Sequence, residues 1–133
     1  MRKIARIISD GLGFRNVELS IVLTDDAAIH ALNHEWRGKD RPTDVLSFSQ
    51  LEGAPTGSHA VLGDVVISLD TAARQAQKLG FTLEEEVTRL LVHGVLHLLG
   101  HDHVHGGRQA RKMKNEEERL LQLIGERLPP ETP

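Results

Sequence analysis

His93, His97 and His103, within the run HGVLHLLGHDH, are the side chains of this sequence whose type and spacing suit metal chemistry. Residues 93 and 97 are four apart, so on an α-helix both imidazoles project from one face and can reach one ion. Gly100, just past the last apolar turn, can take the left-handed conformation that ends a helix and redirects the chain. That turn is expected to return His103 as a third ligand. Three neutral imidazoles with a fourth position open form the ligand set of a catalytic rather than a structural zinc site.

The bland reading of His93 and His97 is a pair of neutral core histidines, each bonded to a carbonyl. Burying two imidazoles without partners costs roughly 1–3 kcal/mol each, so something must satisfy them, and one metal satisfies both. His101 and His105 flank the third ligand and read as exposed or supporting residues, and Asp102 as a ligand-orienting carboxylate or a cap. His30 and His34 are also four apart, but no glycine turn and third histidine follow them, so they read as surface or half-buried.

Position 94 bears on the reaction. In zincins the residue after the first histidine is the glutamate that activates water, as in HExxH. Here it is Gly94, which argues against ordinary peptide hydrolysis. A metal lowers the pKa of a bound water to about 7, so hydroxide chemistry does not require that glutamate. A second group of residues stands in Arg37 to Asp44 (RGKDRPTD). Lys39 and Arg41 read singly as solvated turn residues. A guanidinium at Arg37, if it faces the metal, can hold two phosphate oxygens and offset charge developing on phosphorus.

The elements that position these groups follow from hydrophobic periodicity. Ile4, Ile7, Ile8 and Leu12 give an amphipathic first helix, and Val17 to Thr24 (VELSIVLT) a strand. Thr24, Asp25 and Asp26 offer N-cap oxygens to a helix with Ala28, Ile29, Leu32 and Trp36 in register, ended by Gly38. Val45 to Ser49 is a second strand, Glu52 to His59 a mobile surface loop, and Leu62 to Leu69 a third strand. Asp70 is expected to cap a short helix through Lys78 that stops at Gly80. Thr82 and Glu85 form a capping box, with Glu84 to Glu86 favouring the helix dipole. From Val87 to Leu99 apolar residues spread almost around that helix, which marks it as buried, with two histidines interrupting the apolar cylinder. Arg108 to Leu128 carries Met113, Leu120, Leu121 and Ile124 in register as a surface helix, and Pro129, Pro130 and Pro133 belong to a frayed tail.

At 133 residues the chain fits one domain, 1–133, large enough for a real core. Its net charge of −3 excludes a uniformly polyanion-binding surface, so contact with nucleic acid must be local. It has no cysteine, which excludes disulfides and thiolate metal sites. Neither a signal peptide nor a membrane span is apparent, and the expected location is the cytoplasm.

Leu32 to Phe48 (LNHEWRGKDRPTDVLSF), Gly63 to Ser68 (GDVVIS) and His93 to His103 resemble, in order and spacing, the three signature blocks of the YbeY family of bacterial rRNA maturation factors. The resemblance covers about Val17 to Leu121. It implies an α+β fold, a small mixed β-sheet packed on helices with the motif helix central. It also implies a single-strand-specific, metal-dependent endoribonuclease acting in 16S rRNA 3′-end processing and ribosome quality control, with the small subunit as partner. By position, His93, His97 and His103 are then the ligands of one zinc ion, completed by water or substrate, and Arg37 is the functional arginine. Arg37, Lys39 and Arg41, joined by Arg108, Arg111 and Lys112, supply the local positive charge for RNA. Two other readings stand beside this one: a metallopeptidase-like hydrolase with an unusual base, and a non-enzymatic ribosome-associated protein with a structural zinc.

Overall fold

Five helices and three strands follow in the order α1 (Arg2–Gly11), β1 (Val17–Thr24), α2 (Asp26–Arg37), β2 (Val45–Ser49), β3 (Ala60–Ser68), α3 (Leu69–Leu79), α4 (Leu83–Leu98) and α5 (Gly107–Arg127). The structure is a computed structural model and describes residues 1–14, 17–50, 60–100 and 107–127. The expected loop over Glu52 to His59, the tail prolines, and His101, Asp102, His103 and His105 lie outside the described residues.

The strands form one mixed sheet in the order β1-β3-β2. β1 runs parallel to β3 from Val17↔Ala60 to Thr24↔Ser68, with a register irregularity between Glu18 and Leu19. β2 pairs antiparallel with β3, from Val45↔Ile67 to Ser49↔Gly63. Because side chains alternate across a strand, β2 and β3 build two cores. Val65 and Ile67, both fully buried, join the larger core with residues of α1, α3, α4 and α5. Leu46 and Val66 face the other way and pack on Ile29, with Leu32 and Phe48 against them.

α4 forms the middle of the larger core. Thr82 accepts a hydrogen bond from the Glu85 amide, and the Glu85 carboxylate accepts one from the Thr82 amide, so the expected capping box is present. Leu90, Leu91, Val92, Val95, Leu96 and Leu98 are all buried, as the all-round apolar pattern requires. Gly94 allows the helix to lie close on the sheet. A Cβ there would stand 2.7 Å from Val65 Cγ1 and 3.1 Å from Ser47 Oγ. At the C-terminal end Gly100 has φ of 89° and its amide donates to the His97 carbonyl, the left-handed stop expected from the sequence.

Three expectations change. The cap of α3 is Ser68, whose hydroxyl accepts from the Thr71 amide, while Asp70 lies in the first turn and its carboxylate accepts from the Asp26 amide. The chain leaves the sheet one residue earlier than expected, so Leu69 begins the helix instead of ending the strand. Trp36 does not join the apolar face of α2. On the last helical turn its ring meets Phe48 edge-on and remains 64% exposed.

A paired-histidine site on the buried helix

His93 and His97 stand one turn apart on α4, each half-buried amid fully buried Val92, Val95 and Leu96. Their Nε2 atoms are 3.0 Å apart and the rings cross at 66°. The two nitrogens therefore face each other at hydrogen-bond distance. Two ligands at about 2.0–2.1 Å from a tetrahedral zinc stand about 3.3 Å apart, so the pair matches the donor geometry of one ion with little movement.

Glu117 on α5 completes the arrangement. Its Oε1 lies 2.6 Å from His93 Nδ1. An ionised carboxylate only accepts, so Nδ1 carries the ring proton and Nε2 keeps its lone pair directed at His97. This is the arrangement by which a carboxylate fixes the tautomer of a metal-binding histidine. Nothing in the local sequence marks Glu117 for this work, since it sits in an acidic run 24 residues from its partner. Glu116 beside it forms a bidentate pair with Arg119 on its own helix.

The polar stripe of α4 continues toward its N-terminus. Glu86, fully buried, accepts two bonds from Arg89, one turn before His93. Those bonds hold the Arg89 guanidinium above its ordinary pKa despite partial desolvation, and the charges of Glu86, Glu117 and Asp44 add to the effect. Arg89 thus carries positive charge into the neighbourhood of the carboxylate that holds His93.

Arg37 ends α2, exposed, and its Nη2 donates to the Ser47 carbonyl at 2.9 Å. Ser47 in turn donates its hydroxyl to the Gly94 carbonyl at 2.8 Å. Two hydrogen bonds therefore tie the arginine, through β2, to the helical turn that carries the histidines. The loop after Arg37 is braced from α2: His30 Nε2 lies 2.8 Å from Asp40 Oδ1, and Asn33, buried, donates to the Arg41 carbonyl. The Lys39 and Arg41 side chains are exposed, as are those of Arg108, Arg111 and Lys112. His30 is half-buried and His34 exposed, as expected from the sequence. The predicted third ligand, His103, lies outside the described residues, and among the described residues no group of three or more His, Cys, Asp or Glu side chains is placed to hold one ion.

A Cβ at position 94 would press on the Val45, Ser47 and Val65 side chains of the sheet, so a glutamate there requires its surroundings to shift.

A pair of facing imidazoles on the buried helix of an α+β domain is thus linked through an edge strand to an exposed arginine. The chain belongs to the endoribonuclease YbeY family, whose model matches residues 1–125. Membership places it among the enzymes that hydrolyse RNA phosphodiester bonds. It is 50% identical over 128 residues to an endoribonuclease YbeY of Aquifex aeolicus, covering 96% of this chain and 84% of that one. A Myxococcus xanthus relative of the same description is 55% identical over 118 residues, covering 87% of this chain and 38% of the relative. A solution structure from Thermotoga maritima is similar with a TM-score of 0.63 at 26% identity, covering 95% of this chain and 79% of that one. No helix among the described residues is long and apolar enough to cross a membrane.

Proposed function

We propose that the chain is a zinc-dependent, single-strand-specific endoribonuclease of the cytoplasm that acts on the 3′ end of precursor 16S rRNA and in ribosome quality control. His93, His97 and His103 would hold one ion, with Arg37 at the phosphate. The observation that carries this reading is the convergence of the two Nε2 atoms at 3.0 Å with Glu117 on the far nitrogen of His93. A zinc ion bound there supplies Lewis-acid charge to a phosphodiester oxygen and a more acidic water.

The chain's own residues supply orientation and charge. Glu117, accepting from Nδ1 of the neutral His93 ring, leaves Nε2 as the nitrogen that would face the ion. Arg37 carries a fixed planar cation whose anchoring to the Ser47 carbonyl through one nitrogen leaves its other N–H groups for phosphate oxygens. As negative charge grows on the phosphoryl group, a guanidinium already held in place stabilises it without reorganising. Lys39 and Arg41, with Arg108, Arg111 and Lys112, add a local positive field on a chain of net charge −3. RNA binding then weakens as salt rises. The packing of Gly94 against the sheet disfavours the peptidase reading, because no base can stand at that position.

The test combines metal analysis with cleavage of an unstructured RNA and of a precursor 16S 3′-end fragment by wild type, His97→Ala and Arg37→Ala. One zinc per wild-type chain, lost in His97→Ala but kept in Arg37→Ala, with cleavage lost in both variants, is the expected result. Equal cleavage by all three proteins would refute it. If chelation unfolds the chain and the folded zinc-loaded protein never cuts RNA, the zinc is structural and the protein a ribosome-binding factor.

A further inference from the structure

Trp36 is the chain's one tryptophan, in a sequence with three phenylalanines and no tyrosine, and it is 64% exposed. Phe48 holds it: the two ring centres are 6.5 Å apart at 71°, an edge-to-face contact that leaves most of the indole surface to solvent. The same Phe48 ring lies 5.9 Å from the Arg37 guanidinium carbon, and Phe48 itself packs against the smaller core. An indole and a guanidinium from consecutive residues thus both contact one half-buried ring, on the edge strand whose Ser47 is bonded to the histidine helix.

We infer that Trp36 is the stacking platform for one nucleobase of single-stranded RNA, with the adjoining phosphate at Arg37. This rests on the RNA-cleaving reading above and adds to it a physical source of single-strand preference. A base must be unstacked to lie on an indole, and in a duplex both of its faces are already covered. The surroundings fit a nucleotide better than a protein partner. Trp36 is flanked along the chain by the exposed polar residues His34, Glu35, Arg37, Lys39 and Arg41, and among the described residues no other exposed large hydrophobic falls between Leu23 and Leu79. A nucleotide presents that same combination of flat ring and negative charge.

Because no other tryptophan is present, its emission reports on this position directly. A short unstructured, 2′-O-methylated oligoribonucleotide titrated into the full zinc-loaded chain is expected to quench Trp36 emission. Inorganic polyphosphate, and a duplex of equal length, should bind with little quenching. Trp36→Phe should bind the single strand within about threefold of wild type, and Trp36→Leu roughly 5- to 100-fold more weakly, the range expected for loss of one stacked base. Circular dichroism of both variants should match wild type, since the side chain is mostly outside the core. If fluorescence anisotropy of labelled RNA shows binding while Trp36 emission stays constant, or if Trp36→Leu binds as wild type does, the platform is refuted and the RNA reading survives. If no RNA binds at all, both fall. Quenching by polyphosphate equal to that by RNA would also overturn the inference, since charge alone would then account for it.

Discussion

Glu117 Oε1 lies 2.6 Å from Nδ1 of His93, joining α5 to α4 at the turn that carries the paired imidazoles. Both side chains are mostly shielded, with 29% of His93 and 24% of Glu117 exposed, so the bond is sheltered from competing water. Outer partners of this kind typically change metal affinity by about 10- to 100-fold when removed. Glu117→Ala should weaken zinc binding by that order in competition with a chromophoric chelator. Glu117→Gln, which can still accept from Nδ1–H, should lose less. Unchanged affinity in Glu117→Ala would mean that the histidine pair is oriented by α4 alone.

Gly94→Ala tests the close approach of α4 to the sheet. The new methyl group would stand 2.7 Å from Val65 Cγ1, so the Val65 side chain, the helix or the strand must shift. Overpacking of this kind costs about 1–3 kcal/mol, readable as a lower urea midpoint. Gly94→Glu, which restores the residue of the protease pattern, should destabilise the chain further and produce no casein cleavage. Casein cleavage by the wild-type chain that disappears in Gly94→Ala but not in Arg37→Ala would revive the metallopeptidase reading.

Arg37 is exposed and spends one nitrogen on the Ser47 carbonyl, so its removal should leave stability within about 1 kcal/mol of wild type. Arg37→Ala should nonetheless lower RNA cleavage by roughly 100-fold or more. Arg37→Lys should recover only part of that, because an ammonium lacks the planar fork that spans two oxygens. A full rescue by lysine would reduce the role of Arg37 to bulk charge.

Asp26 supplies a pH test away from the histidines. Its carboxylate accepts from the Ser68 and Thr71 hydroxyls, both at 2.6 Å, and from Arg74 at 2.8 Å, linking the start of α2 to the start of α3. Those three hydrogen bonds, Ser68 first, hold its pKa at about 2 against an ordinary 3.8. A depressed carboxylate pKa means that its stabilisation is complete above pH 3.8 and fades as the pH falls toward 2. Asp26→Asn should therefore melt below wild type at neutral pH, and the gap should narrow across that acid window. A gap that is constant from neutral pH to pH 2 would show that the charge of Asp26 contributes nothing.

The sequence by itself determined the helices and most of their ends, because caps and periodicity are local: the Thr82–Glu85 box, the glycine stops after α2 and α3, and the apolar cylinder of α4 all act within a few residues. It also placed His93 and His97 on one helical face, since a four-residue spacing leaves little choice. The tertiary structure decided what depends on distant parts of the chain meeting. It brought Glu117 to His93, Ser47 to Gly94 and Arg37 to Ser47, contacts separated by 24, 47 and 10 residues that no local pattern encodes. It also left Trp36 outside a face whose periodicity includes it, because burial requires an opposing surface and at the last turn of α2 the T-shaped contact with Phe48 leaves the side chain 64% exposed. The glycine after the first histidine carries both lessons. Its identity, read in sequence, argues against a protease, and the sheet packed against it gives the steric reason.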